Sequence, residues 1–249
     1  MAAIFCVRLA LGLVLFLPVI WNCLPHTRFV RTQFLTALGL LAVATVSAWD
    51  EMGGFLRVVL LSSTGIALVG VLAWTLQPAP AGRSIVVAAI AALMATLIAL
   101  QPANETTPSS LGIWVNEIAS VAILGAAMTA MLVGHSYLIA PGIALTPLLR
   151  MLRVLFVTIA VRAAIGGVAL AFWFYSAGGH TLTTEIALWL PVRWLVGVVG
   201  PLVFGWMATS AAKIRSTQSA TGILYVAVVC AILGELLGLL LEQQTGLPL

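Results

Sequence analysis

Eight stretches of some twenty apolar residues, set apart by short clusters of glycine, proline and charge, leave this chain few ways to fold. They run Ala3–Trp21, Gln33–Trp49, Phe55–Leu76, Ser84–Leu100, Leu111–Ala140, Leu148–Tyr175, Ile186–Ala211 and Thr221–Leu241. Each approaches or exceeds the length that an α-helix needs to cross the hydrocarbon core of a bilayer. The second is short. The fifth and sixth are long, as tilted or overhanging helices would be. Breakers fall between them: Pro25, Asp50 to Gly54, Pro78 to Pro80, Pro102 to Pro108, Pro141-Gly142 and Ala177 to Gly179. The expectation is an all-α polytopic transmembrane helix bundle of eight spans. Residues 1–249 should form a single integral membrane domain, because no hydrophilic stretch is long enough for a second one.

Composition agrees. Charged residues are 7% of the chain and apolar residues 62%, against roughly 25% charged in soluble domains. Such a chain cannot wet a surface of its own size. The apolar run from Leu9 to Trp21 has the size of a signal peptide core, but no small-x-small cleavage site follows, so it reads as a retained first helix.

Loop charges test the span count independently. Alternate loops carry Arg28 and Arg31, then Arg83, then Arg150 and Arg153, then Lys213 and Arg215. The loops between them carry Asp50 and Glu51, then Glu105, then His180 and Glu185. A miscounted span would scramble this alternation. By the positive-inside rule the basic loops are cytoplasmic and both termini lie on the non-cytoplasmic side. Compactness and this bias point to a bacterial cytoplasmic (inner) membrane. The net charge of +4 follows from the same topology. No clustered basic face exists, so nucleic acid is not an expected partner.

Charges inside the spans are where chemistry is to be sought, since each costs at least about 2.5 kcal/mol at mid-helix. Arg8 and Arg57 lie near the outer ends of their spans, where snorkelling explains them. Glu117, Arg193 and Glu235 lie about two turns in, and Arg162 is near the middle of the sixth span. Arg162 is too deep to snorkel and should pair with Glu235 or Glu117. Glu117 and His135 are eighteen residues apart, about five helical turns, so they share one face with Ser120, Met128 and Met131, and Asn116 flanks it. They either bound a proton or ligand path, or make separate structural contacts, with Glu117 paired to Arg193. The candidate buried polar or ligand-binding residues are therefore Glu117, His135, Arg162, Arg193 and Glu235.

The last two spans carry packing signals. Arg193, Gly197, Gly200 and Phe204 recur on one face, Pro201 should kink the seventh span, and Gly234 and Gly238 form a GxxxG groove on the eighth beside Glu235. Thr217, Thr221 and the serines near them are candidate caps of that last helix. Five tryptophans (Trp49, Trp114, Trp173, Trp189 and Trp194) fit an outer interfacial belt.

Elimination narrows the chemistry. Cys6, Cys23 and Cys230 have no metal-ligand spacing, so zinc is not expected. Cys6 and Cys23 are roughly 25 Å apart along one helix and cannot bridge. Only His135 lies in a span, which excludes two bis-histidine haems; one haem shared with His26 is the sole haem arrangement left. No nucleophile elbow, zinc-protease or phosphate-loop motif occurs, so enzymatic activity has no complete catalytic set behind it. The cofactor is unknown, with a quinone or lipid the compatible classes. Three readings follow. The first is a membrane-embedded subunit or quinone- or lipid-binding module of a larger complex, with the bilayer and other membrane subunits as partners. The second is a small-solute or proton-coupled transporter using the buried Glu and Arg residues. The third is an enzyme acting on a lipid or isoprenoid. A water-accessible pocket joining Glu117, Arg162 and Glu235 would favour transport, and a dry bundle with paired ions would favour the subunit.

Overall fold

The computed structural model describes residues 1–21, 27–50, 53–76, 81–101, 110–139, 144–176 and 184–245. Among these every regular element is a helix, and eight helical segments are long and apolar enough to cross a membrane. Their contacts gather into two compact units, Met1–Pro108 and Ser109–Leu249.

The first unit holds α1 (Ala2–Leu15), a short α2 (Leu17–Ile20), α3 (Thr27–Ala48), α4 (Gly54–Ala73) and α5 (Gly82–Leu100). Helix α1 packs on α3, α3 on α4, α4 on α5, and α5 returns to α1, which closes a ring of four spans. The first span breaks at Phe16 because Pro18 has no N–H to give the Val14 carbonyl. The second span begins about six residues earlier than its apolar run. Arg28 and Arg31 therefore ride on the first turns of a 22-residue helix, and the expected shortness disappears. The polar residues that hid this start are tolerated because Thr32 and Thr36 return their hydroxyls to the Arg28 and Thr32 carbonyls.

Small residues set the spacing within this ring. Phe34, fully buried on α3, lays its ring over Gly70 of α4, where any Cβ would fall 2.3 Å from the ring. The Ser63 and Thr96 hydroxyls meet at 2.7 Å between α4 and α5, and Thr96 donates to the Ala92 carbonyl, so Ser63 is the donor to Thr96. Gln33 is fully buried on α3, and neither end of its amide has a hydrogen-bond partner among the described residues.

Aromatic and cationic groups gather at both ends of the ring. Arg57 donates to the Trp49 carbonyl at 2.9 Å and lies over the Trp49 ring. At the other end Trp21 meets Trp74 edge-on, and Arg83 covers Trp21. Arg8 corrects its expectation. It is buried and engaged, since α1 is covered along most of its length and an arginine two turns in has nowhere to snorkel.

The second unit holds α6 (Ser110–Ile139), α7 (Thr146–Ser176), α8 (Thr184–Trp194), a five-residue π-helical turn (Leu195–Val199), α9 (Gly200–Lys213) and α10 (Thr217–Thr245). Helix α6 packs on α7 and α10, α9 packs on α7 and α10, and the π turn also leans on α10. The seventh span is thus α8, the π turn and α9 in series. Pro201 has no N–H for the Gly197 carbonyl, and the wider turn just before it, closed by Gly200 N–H on the Leu195 carbonyl, absorbs the defect. The expected kink takes this form.

The close contact predicted from the glycines is present. A Cβ on Gly197 would fall 2.7 Å from the Gly234 Cα, and one on Gly200 would fall 3.1 Å from Cys230. Backbones can approach this closely only where both helices lack a side chain. Helix α10 starts at Thr217, a turn before its apolar run. Thr221 accordingly lies inside the helix, where its hydroxyl donates back to the Thr217 carbonyl instead of capping.

Candidate functional site

The deepest charges of the second unit converge where α6, α7, α8 and α10 meet. Arg162 extends from the middle of α7 and is 3% exposed. Its Nε donates to Glu235 Oε1 at 2.8 Å and its Nη2 to Oε2 at 3.4 Å. Its Nη1 donates to Asn116 Oδ1 at 2.7 Å. Three helices are therefore tied by one guanidinium. The pairing with Glu235 is the first of the two partners expected for Arg162.

The planar fork suits this task. Two parallel N–H groups match a carboxylate and the third points elsewhere, a geometry that lysine lacks. Removing both ions from water costs several kcal/mol each. The pair recovers that cost only because the remaining hydrogen-bonding positions are also used. Asn116 supplies one such use. Ser120, one turn along α6, faces the same carboxylate without closing a hydrogen bond to it. With both oxygens engaged, Glu235 acts as a fixed counter-ion.

Arg193 lies at the end of α8 and is 2% exposed. Glu235 and Glu242 attract it and Arg162 repels it. Its Nε and Nη2 have no hydrogen-bond acceptor among the described residues, so the pairing expected with Glu117 is not closed through either nitrogen. Gly238 is what makes room. A Cβ there would start 3.0 Å from Arg193 Nε, 3.3 Å from its Nη2 and 3.5 Å from Arg162 Nη2. The second glycine of the GxxxG pair is thus a seat for two guanidiniums, while the first, Gly234, receives the Gly197 backbone.

The other candidates fall at different places. Glu117 is buried on α6 and engaged. His135 corrects the single-stripe expectation. It is exposed, with its Nδ1 3.4 Å from the Tyr225 hydroxyl. Eighteen residues do return a helix to the same azimuth. But α10 packs against Gly134, about 100° round from His135, so the covered face at that level is the neighbouring one. His26, the other member of the haem pair considered, lies outside the described residues, as do Cys23, Glu51, Glu105 and His180. Trp173 also departs from the interfacial belt. It is buried with Ile186 and Leu241.

Sequence reading gave Asn116 no partner and omitted Glu242. An asparagine beside a buried glutamate was the available signal for the first. Glu242 lay one residue past the end of the apolar run, and the helix continues beyond it to Thr245.

Two grooves flank the cluster. One, about 230 Å³, lies between α6 and α7 and is lined by residues including Val115, Ala119, Val157, Thr158 and Val161. The other, about 300 Å³, lies between α7 and α8 and is lined by Gly167, Leu170, Leu190, Pro191 and Trp194. Their walls are almost wholly apolar. Comparison of the chain with protein-family models, with curated proteins and with solved structures finds no match, so the functional reading rests on these side chains.

Proposed function

We propose that the chain is a membrane-embedded subunit of a larger assembly, built to hold a quinone or lipid beside its buried charges. One observation carries the reading: Arg162, Glu235 and Asn116 satisfy one another, and the two grooves described beside them are walled by apolar side chains. A conducting path for ions or protons needs polar walls and groups free to exchange partners. A dry, cross-tied bundle instead offers rigid apolar faces to lipid and to other helices. In this reading the eight apolar helices cross a bacterial cytoplasmic membrane, with the basic loops inside and both termini outside.

The test is purification in mild detergent, with identification of co-purifying proteins and an absorption spectrum. A stable complex of defined stoichiometry is expected. A monodisperse lone chain argues against the subunit, and a haem band would replace quinone or lipid with haem as the bound group.

The π turn favours a second reading, a small-solute or proton-coupled transporter. It interrupts the seventh span two residues after Arg193, and broken helices beside buried charges are where secondary transporters place their sites. Substrate-dependent uptake into vesicles that is lost in Arg193→Gln would select it.

A further inference from the structure

Helix α5 of the first unit opens without a cap. Ala81, the residue before it, has no side-chain acceptor to offer and lies in the left-handed region, at φ 54° and ψ 22°. The first helical hydrogen bond runs from the Ile85 N–H to the Ala81 carbonyl at 3.0 Å. The amides of Gly82, Arg83 and Ser84 therefore have no acceptor within the helix, and they have none elsewhere among the described residues. A left-handed residue followed by right-handed ones turns successive N–H groups into one concavity that suits an anion. The helix dipole acts in the same sense. Ala81, Arg83 and Ser84 are exposed, so this end of α5 lies at the surface of its unit.

A buried donor stands beside these amides. Trp74, which ends α4, rests the edge of its indole on Gly82: a Cβ there would fall 2.6 Å from Trp74 Cζ2 and 3.2 Å from Cε2. Nε1, bonded to that Cε2, is buried without an acceptor among the described residues, and Trp74 as a whole is only 9% exposed. The missing side chain of Gly82 is what lets the indole N–H come up to the first turn of α5. The Arg83 guanidinium lies 5.6 Å from the centre of the Trp21 ring, which in turn meets Trp74 edge-on.

Charge and position define the anion. Arg28, Arg31 and Arg83 stand at this end of the first unit, on the first turns of α3 and α5. The acids of the unit, Asp50, Glu51 and Glu105, follow the far ends of the same two helices, so the unit offers no carboxylate here. Leu72, Leu76 and Val87, at the same helix ends, are each more than half exposed. Free donors at the edge of an exposed apolar surface suit an anion that carries its own hydrocarbon.

We propose that the start of α5 holds the phosphate of one membrane phospholipid, seated on the Gly82, Arg83 and Ser84 amides. The Arg83 guanidinium and the Trp74 N–H are the flanking donors, and the acyl chains lie against the exposed apolar residues of α4 and α5. In the orientation proposed above this lipid belongs to the cytoplasmic leaflet. The site rests on the eight helices spanning a membrane, and it requires neither the ligand proposed beside Arg162 nor a protein partner.

An amide without an acceptor exchanges its hydrogen quickly, and one bound to phosphate does not. The test is hydrogen–deuterium exchange of the full chain in a maltoside detergent, read on fragments spanning residues 81–86, with and without phosphatidylglycerol. The lipid should slow exchange there about tenfold, and diacylglycerol of the same acyl chains should leave it unchanged. Arg83→Gln should raise the lipid concentration required about fivefold. Trp74→Phe, which keeps a ring on Gly82 and removes the donor, should raise it a few-fold. Ser84→Glu puts a carboxylate at the third helical position, from which it reaches back to the start of the helix. That variant should melt no lower than the native chain, because Ser84 is exposed and the new charge suits the dipole, and it should abolish the response to lipid.

Unchanged exchange with phosphatidylglycerol, equal slowing by diacylglycerol, equal slowing by millimolar inorganic phosphate alone, or a full response in Ser84→Glu would each overturn the proposal. A lone chain whose α5 amides respond to phosphatidylglycerol sinks the subunit reading and leaves this one standing. A multi-subunit complex whose α5 amides are indifferent to the lipid does the reverse.

Discussion

Replacing Glu235 with glutamine keeps the side chain's shape and removes the one negative charge between two buried guanidiniums. Arg162 loses a bidentate partner whose bonds measure 2.8 and 3.4 Å, and keeps Asn116 Oδ1 with one glutamine carbonyl in place of the two carboxylate oxygens. At a charge separation of about 4 Å and an effective dielectric of 20, the lost attraction is about 4 kcal/mol. Breaking buried pairs by removing one member costs about 3–5 kcal/mol, so the two estimates agree. Neutral interhelical hydrogen bonds in membranes average only about 0.6 kcal/mol. A loss above about 2 kcal/mol therefore separates an uncompensated ion from an ordinary contact. The assay is a double-mutant cycle read by reversible unfolding in mixed micelles. Glu235→Gln and Arg162→Met should each lose at least about 3 kcal/mol. The double variant should lose less than their sum, because no ion is then left without its partner at that position. Recovery should be incomplete, since Arg193 still lacks its share of Glu235. Single losses below 1 kcal/mol, or strict additivity, would refute the account of this cluster.

Other outcomes follow from packing. Gly197→Ala places a methyl 2.7 Å from the Gly234 backbone, which cannot give way, and should lower stability by about 1–3 kcal/mol in a thermal melt. Gly70→Ala should cost a similar amount by driving into the Phe34 ring, and Phe34→Leu in the same chain should recover part of it. Gln33→Leu should raise the melting temperature, because a fully buried amide without partners costs about 1–3 kcal/mol that a leucine does not. His135→Ala should change stability by less than about 0.5 kcal/mol, as expected for an exposed residue with one long contact.

The spans were legible because their signal is strong and local: a run of apolar residues admits few structures other than a helix of that length. Their ends were less so. Thr27 to Thr32 and Thr217 to Ala220 are polar enough to look like loops, yet helix continues through them because hydroxyls can return to the preceding turn. The ion pair was legible for a different reason. With only two carboxylates inside the fifth and eighth spans, Arg162 had few possible partners. Which carboxylate it takes depends on the approach of α10 to α7, and no spacing along one helix encodes that. His135 shows the same limit. Periodicity fixes where a side chain points around its own axis, while burial depends on where the neighbour crosses, here at Gly134. Gly238 looked like half of a backbone contact, and its role beneath two guanidiniums emerged only once Arg162 and Arg193 were placed.

The π turn also sets the phase of everything after it. Each residue of an α-helix advances the azimuth by about 100°, and the turn at Leu195–Val199 holds one residue more than an α-helical turn would. Deleting a single residue there would remove the wide turn that accommodates Pro201 and swing α9 by that angle, carrying Gly205, Ala208 and Ala212 off the surfaces on which they are packed or buried. The two halves of the span therefore read their neighbours in separate registers, and the extra residue acts as the clutch between them.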